Sequence, residues 1–202
     1  MAAGAAPDSV GAVATTTAHV RSSPATETVQ RVLVDALPDE VFAAIWEADL
    51  LRMPLARCFT AMALWPERIR AWLHREPPPA HGARSAHLGD MLGDGSPWIL
   101  VADGPAREVT LGLLWTPPAG GMKCAPGEFD DFSAPGVAKV TWSLSAAPFG
   151  AGHTLLTTRT RTVTTDVLAA RRFRLVWPLI RPFAALLRMQ VLRAIKAHSE
   201  VR

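Results

Sequence analysis

Hydrophobic and polar positions change period twice along this chain, and the changes divide it into elements. From Thr28 to Ala36 the run TVQRVLVDA is rich in β-branched residues and stops at Leu37-Pro38, which predicts a strand. Pro38 then suits a first helical position, and the charges of Asp39 and Glu40 suit the positive end of a helix. Val41, Phe42, Ile45 and Trp46 follow on one face at helical spacing. A second short helix is expected from Pro66, with Ile69, Trp72 and Leu73 inward, ending before Pro77-Pro78-Pro79.

Beyond His87 the period falls to two. Trp98 to Ala102 lies between two turn signals, Asp94-Gly95-Ser96-Pro97 and Asp103-Gly104-Pro105. Arg107 to Trp115 sets Val109, Leu111, Leu113 and Trp115 against Glu108, Thr110 and Gly112. Ala138 to Ala146 sets Val140, Trp142 and Leu144 against Lys139, Thr141, Ser143 and Ser145. His153 to Thr164 continues the series after a Gly-rich turn. Such half-polar strands belong to an antiparallel sheet with one wet face. Thr165-Asp166 offers capping side chains for a helix that runs through His198, with Pro178 expected to kink it near Trp177 and Pro182 to open a second segment.

The order of elements is α+β, and three segments carry a closer likeness: Trp98 to Trp115, Phe129 to Leu144, and Thr158 to Lys196 with Arg171-Arg172-Phe173, Trp177 and Ile180-Arg181-Pro182. They resemble one branch of the SRPBCC (START-like) superfamily, which includes polyketide cyclases and lipid-transfer domains. Arg159, where similar sequences favour an acidic residue, and Pro178 depart from the pattern. The resemblance implies a helix-grip fold: a curved antiparallel sheet wrapped around a long, proline-kinked C-terminal helix, with two short helices after the first strand. Residues 1–27 are expected to form a disordered Ala/Thr/Ser-rich tail and residues 28–202 the ligand-binding domain.

Composition narrows the classes. A chain of 202 residues with 49% hydrophobic content is sized for one core. The formal charge of +3 comes without a block of like charges, which argues against nucleic acid as a partner. Cys58 and Cys124 stand apart, without the spacing of a zinc site or a disulfide framework. No secretory leader pattern opens the sequence, and no 18 apolar residues run without a charge, so a cytoplasmic protein is expected, as a monomer or homodimer.

In the implied fold the cavity lies between sheet and helix, so Trp98, Trp115, Trp142 and Trp177 are expected to line it, with Phe129 and Phe132 on a loop over its mouth. Core filling by the same aromatics is the competing expectation. Candidate catalytic groups are Glu108 as acid or base and Arg159 and Arg161 as carboxylate or enolate holders; a Glu108–Lys139 cross-strand pair and exposed arginines are the alternatives. His81, His87, Asp90 and Asp94 fit no common zinc spacing, and Asp130-Asp131 lacks flanking ligands, so neither a metal nor a cofactor is expected. The basic C-terminal helix allows transient contact with an anionic membrane surface. The leading functional expectation is binding, with or without transfer, of a lipid, isoprenoid or polyketide-like compound. The alternatives are an aromatase/cyclase-like enzyme and an interaction module with a vestigial cavity.

Overall fold

The computed structural model describes residues 26–50, 87–93, 96–104, 107–116 and 120–201. The helix expected from Pro66, and Cys58, His81 and Asp94, lie outside the described residues. Six strands form one antiparallel sheet: β1 (Thr26–Val34), β2 (Trp98–Gly104), β3 (Glu108–Thr116), β4 (Gly120–Met122), β5 (Ala138–Pro148) and β6 (Thr154–Thr164). Their spatial order is β1-β6-β5-β3-β2, with β4 paired to the end of β3. Among the described residues two α-helices accompany them, α1 (Pro38–Glu47) and the 33-residue α2 (Val167–Ser199). This is the helix-grip arrangement, a curved sheet with a long C-terminal helix and a short helix after the first strand.

α1 begins where the sequence places it, with Pro38 in its first turn and the Leu37 N–H donating to the Glu40 carboxylate at 3.0 Å. Arg107, at the β2–β3 turn with φ 54°, grips Asp39 through its guanidinium and so ties that hairpin to the start of α1.

Strand register sorts every side chain onto one of two faces, because neighbours directly opposite each other share a face. Thr158 faces Leu144 and Gln30, and Thr160 faces Trp142 and Thr28. Gln30 donates to the Ala185 carbonyl of α2 at 3.2 Å, which identifies this face as the one turned toward the helix. The odd-numbered residues of β6, Arg159 and Arg161 among them, therefore point the other way. Phase is set at the β5–β6 turn, where the Phe149 N–H donates to the His153 carbonyl at 2.9 Å and Gly150 and Gly152 adopt φ of 70° and 77°.

The main core sits between the helix-facing side and the helices. Val34, Val41, Ile45, Leu88, Leu111, Leu144, Leu156, Val191, Leu192 and Ile195 are buried together there. A second, smaller cluster covers the opposite face, where Leu114, Phe129 and Val137 pack with Ile99, Val101 and Phe132.

α2 is held at both ends. Asp166 accepts the Ala169 N–H at 2.6 Å and the Gly136 N–H at 2.8 Å, capping the helix and fastening its start to the loop before β5. At the far end Lys196 donates to the Leu33 carbonyl at 2.6 Å, and Glu200 accepts the Asp35 N–H at 3.0 Å. Between these anchors α2 runs as one helix with Pro178 and Pro182 inside it, not as the two expected segments. Each proline removes one backbone donor, and the fixed ends oppose the break that those losses would otherwise permit.

Candidate functional site

Beneath α2 the aromatic side chains form two groups. Trp98 on β2 and Trp142 on β5 meet edge to face, with centroids 6.0 Å apart at 63°. Trp142 is oriented further by its indole N–H, which donates to the buried Thr158 hydroxyl at 2.7 Å. Toward the start of α2, Trp115 meets Phe173 edge to face at 6.0 Å, and Phe173 stacks on Trp177 at 5.2 Å and 20°. Leu113 and Val140 lie opposite each other in the sheet and separate the groups. Trp115 and Leu111, the cross-strand neighbour of Trp142, are four residues apart on β3, or roughly 13 Å at strand rise.

The helix side of this space has a regular inward stripe: Phe173, Trp177, Ile180, Ala184, Leu187, Val191 and Ile195, at steps of three and four residues. Its two ends, Phe173 and the pair Val191 and Ile195, are buried. The four members between them are only half-buried, as are Leu113 and Val140 on the floor. Inward-phase residues on a helix packed flat against a sheet would be buried throughout. The middle of α2 therefore stands over accessible apolar space about 15 Å long from Trp177 to Leu187 at helical rise.

Arg188 borders this stripe, three residues past the carbonyl that Gln30 holds, and is only 6% exposed. Its Nε finds no hydrogen-bond partner, and burial pulls the guanidinium pKa below its ordinary value. Among the described residues no acidic side chain stands on the helix-facing rows of β1, β3, β5 and β6, and none lies between Val167 and Ser199. Thr28 Oγ1, Gln30 Oε1 and Thr162 Oγ1 are likewise buried without partners on this side of the sheet. An arginine of the basic C-terminal helix is expected on its outer face, and Arg188 is not there. Its position eleven residues after Trp177 and three before Val191, which returns it close to the inward phase, is the signal that would have separated it.

The other expected site residues are distributed differently. Trp98, Trp115, Trp142 and Trp177 all lie on the helix-facing side. Phe129 and Phe132 do not cover a mouth there. They pack against the opposite face, where Phe129 lies under the Lys139 ammonium, 5.5 Å from ring centroid to Nζ. Lys139 also donates to the Asp130 carbonyl at 2.5 Å and takes no part in an ion pair with Glu108, which stands opposite Ser145 at the other end of the sheet. Glu108, Arg159 and Arg161 all occupy the face turned away from α2, with Arg159 beside Glu27 at 3.6 Å. The odd phase that puts them with Lys139 and Thr141 also removes them from the aromatic space. His87 is held by the Glu47 carbonyl at 3.0 Å and gives its own N–H to Asp90. His153 is an exposed turn residue.

The outer face of α2 is less polar than a solvated helix back. Leu168, Leu175, Leu179 and Leu186 follow one another at steps of seven, four and seven residues and are exposed, Leu175 by 82% and Leu179 by 73%. Arg171, Arg172, Arg174 and Arg181 are interspersed with them. Contrary to expectation, α2 is long and apolar enough, by length and composition, to cross a bilayer. Here its last third is committed to the core through Val191, Leu192 and Ile195.

No protein-family model matches the chain, and no curated protein matches it. Among solved structures it is similar to a truncated norcoclaurine synthase from Thalictrum flavum, at 11% identity over 85% of this chain and 91% of that one, with a TM-score of 0.38. It is also similar to the Zhui aromatase/cyclase from a Streptomyces species, at 11% identity over 88% and 96% of the two chains and a TM-score of 0.33. The di-domain aromatase/cyclase StfQ from the steffimycin biosynthetic pathway shows 19% identity over 87% of this chain and 51% of its own, with a TM-score of 0.34. Superpositions this loose equate no individual residues, and the architecture given above rests on this chain's own strand register.

Proposed function

We propose that the protein binds a hydrophobic small molecule, with the dimensions and apolarity of a lipid, isoprenoid or polyketide-like compound, between the sheet and α2. The observation that carries this reading is the half-buried run Trp177, Ile180, Ala184 and Leu187, matched by half-buried Leu113 and Val140 on the helix-facing side of the sheet, while the same helical stripe is buried at both ends. An apolar ligand filling that space removes exposed carbon from water, at about 25 cal/mol for each Å² covered. The cyclase version built on Glu108, Arg159 and Arg161 loses its support, since these groups lie on the other side of the sheet. Native mass spectrometry of the full chain after incubation with a total lipid extract tests the proposal. A discrete adduct of a few hundred daltons, lost in a Leu113→Glu variant, is expected; no adduct in the wild type would overturn it.

The exposed leucines favour a second, compatible reading. Leu168, Leu175, Leu179 and Leu186, set among arginines on a helix without acidic residues, suit the surface of an anionic bilayer, where cargo is loaded or released. Flotation with phosphatidylcholine vesicles, with and without about a third phosphatidylglycerol, separates the cases. Binding to the anionic vesicles, abolished in Leu175→Glu/Leu179→Glu, is expected; equal failure to float with both would exclude membrane contact.

A further inference from the structure

The polar atoms beneath α2 have a composition of their own. Arg188 Nε, Thr28 Oγ1 and Thr162 Oγ1 are donors, Gln30 Oε1 is an acceptor, and all four are buried without hydrogen-bond partners. Native interiors leave few such groups, and each one asks for an occupant. Arg188 is a residue only 6% exposed, with no carboxylate among the described residues on the helix-facing rows of β1, β3, β5 and β6 or along α2, and it asks for an anion above all. Register brings two of the others to its neighbourhood: Gln30 holds the carbonyl one turn before Arg188, and Thr28 is the adjacent helix-facing residue of β1, whereas Thr162, opposite Thr26, lies further back toward the start of α2.

We infer that Arg188, assisted by the hydroxyl of Thr28, receives the carboxylate of the ligand, so that the compound bound under α2 is an apolar acid and not a neutral lipid. The planar guanidinium offers paired N–H donors that match the two oxygens of a carboxylate. The hydrocarbon or ring part then runs from Arg188 along Leu187, Ala184 and Ile180 toward Trp177. Charge and apolar surface occupy opposite ends of one space, which fixes the direction in which a ligand enters its seat.

This assignment rests on the binding reading above, and one experiment separates the two. Fluorescence titration of the full chain with 11-(dansylamino)undecanoic acid and with its methyl ester compares two probes of the same chain and fluorophore, one ending in a carboxylate and the other in a neutral ester. The acid is expected to bind the wild type at least about ten-fold more tightly, and Arg188→Met to erase that preference by weakening the acid. Equal affinity of acid and ester for the wild type, or a preference that survives in Arg188→Met, overturns the carboxylate seat and leaves the apolar site standing. Binding of neither probe overturns both. Should Arg188→Met fail to fold, the wild-type comparison still decides, and Thr28→Val, expected to weaken the acid alone, provides the second variant.

Discussion

The indole of Trp142 and the hydroxyl of Thr158 are joined by a 2.7 Å hydrogen bond between adjacent strands, in buried space on the side that faces α2. The bond gives one of the three indoles on the floor a fixed orientation and satisfies a donor that would otherwise be stranded. Replacing Thr158 with Val leaves the indole N–H unpaired and is expected to cost about 1–3 kcal/mol. The same change in a Trp142→Phe background should cost much less. Urea denaturation of the four proteins in the cycle measures the difference, and equal costs in both backgrounds would remove the bond from the account.

On the other face, Gly112 is where β3 and the Phe129 loop come together. A Cβ at this position would stand 2.6 Å from a Val101 methyl and 2.9 Å from the Phe129 ring. Gly112→Ala is therefore expected to destabilise the fold by about 1–3 kcal/mol through overpacking. Adding Phe129→Leu should recover part of that loss although Phe129→Leu alone destabilises, and chemical denaturation would reveal a simple sum if the two positions did not touch.

Acid should loosen the attachments of α2 and α1 first. Asp166 is held below its ordinary 3.8 by the Ala169 and Gly136 N–H groups, Asp39 below 3.8 by Arg107, and Glu200 below 4.5 by the Asp35 N–H and Lys196. Each folded-state pKa is depressed, so the unfolded chain binds more protons as these groups titrate. Their stabilisation is present in full above the ordinary values and is lost as pH falls through and below them. Thermal melts between pH 3 and 7, roughly the span over which such carboxylates change state, should show a falling midpoint at the acid end that is shallower in Asp166→Asn. An identical slope in wild type and variant would contradict the assignment.

An unoccupied anion seat also has a stability signature. In ligand-free protein, Arg188→Met removes a largely buried arginine that has no counter-ion among the described residues and is expected to raise stability by roughly 1–4 kcal/mol, as replacing buried ionic groups by well-packed apolar ones can. Saturating apolar acid should narrow the gap by stabilising the wild type alone. A Met variant less stable than the wild type in the absence of ligand would mean that Arg188 is satisfied within the fold.

Much of the architecture was legible because period and punctuation agree locally. Strands at Trp98, Ala138 and Thr154 start within a residue or so of their expected positions, and Asp166 caps α2 as its place in the sequence implies. Alternation also carried the face of Glu108, once Val109 and Leu111 are taken as core. The position of Phe129 was not legible: its loop folds back over the polar-looking side of the sheet because Gly112 opens a depression there and Lys139 caps the ring, and both relationships need strands distant in sequence to be paired first. Arg188 was hidden for a different reason. Residue type outweighed phase, and arginines are so seldom buried that its place beside the inward stripe passed as part of the basic surface.

The alternation on β6 reaches beyond side-chain placement. Thr158, Thr160 and Thr162 form one track and Arg159 and Arg161 the other, and the turn at Phe149–His153 selects which track lies indoors. A single-residue insertion there that shifted the pairing by one would exchange the tracks, placing two guanidinium groups under the helix and a row of hydroxyls in water. The strand thus encodes two interiors, one neutral and one cationic, and the length of a glycine turn decides which of them the helix closes over.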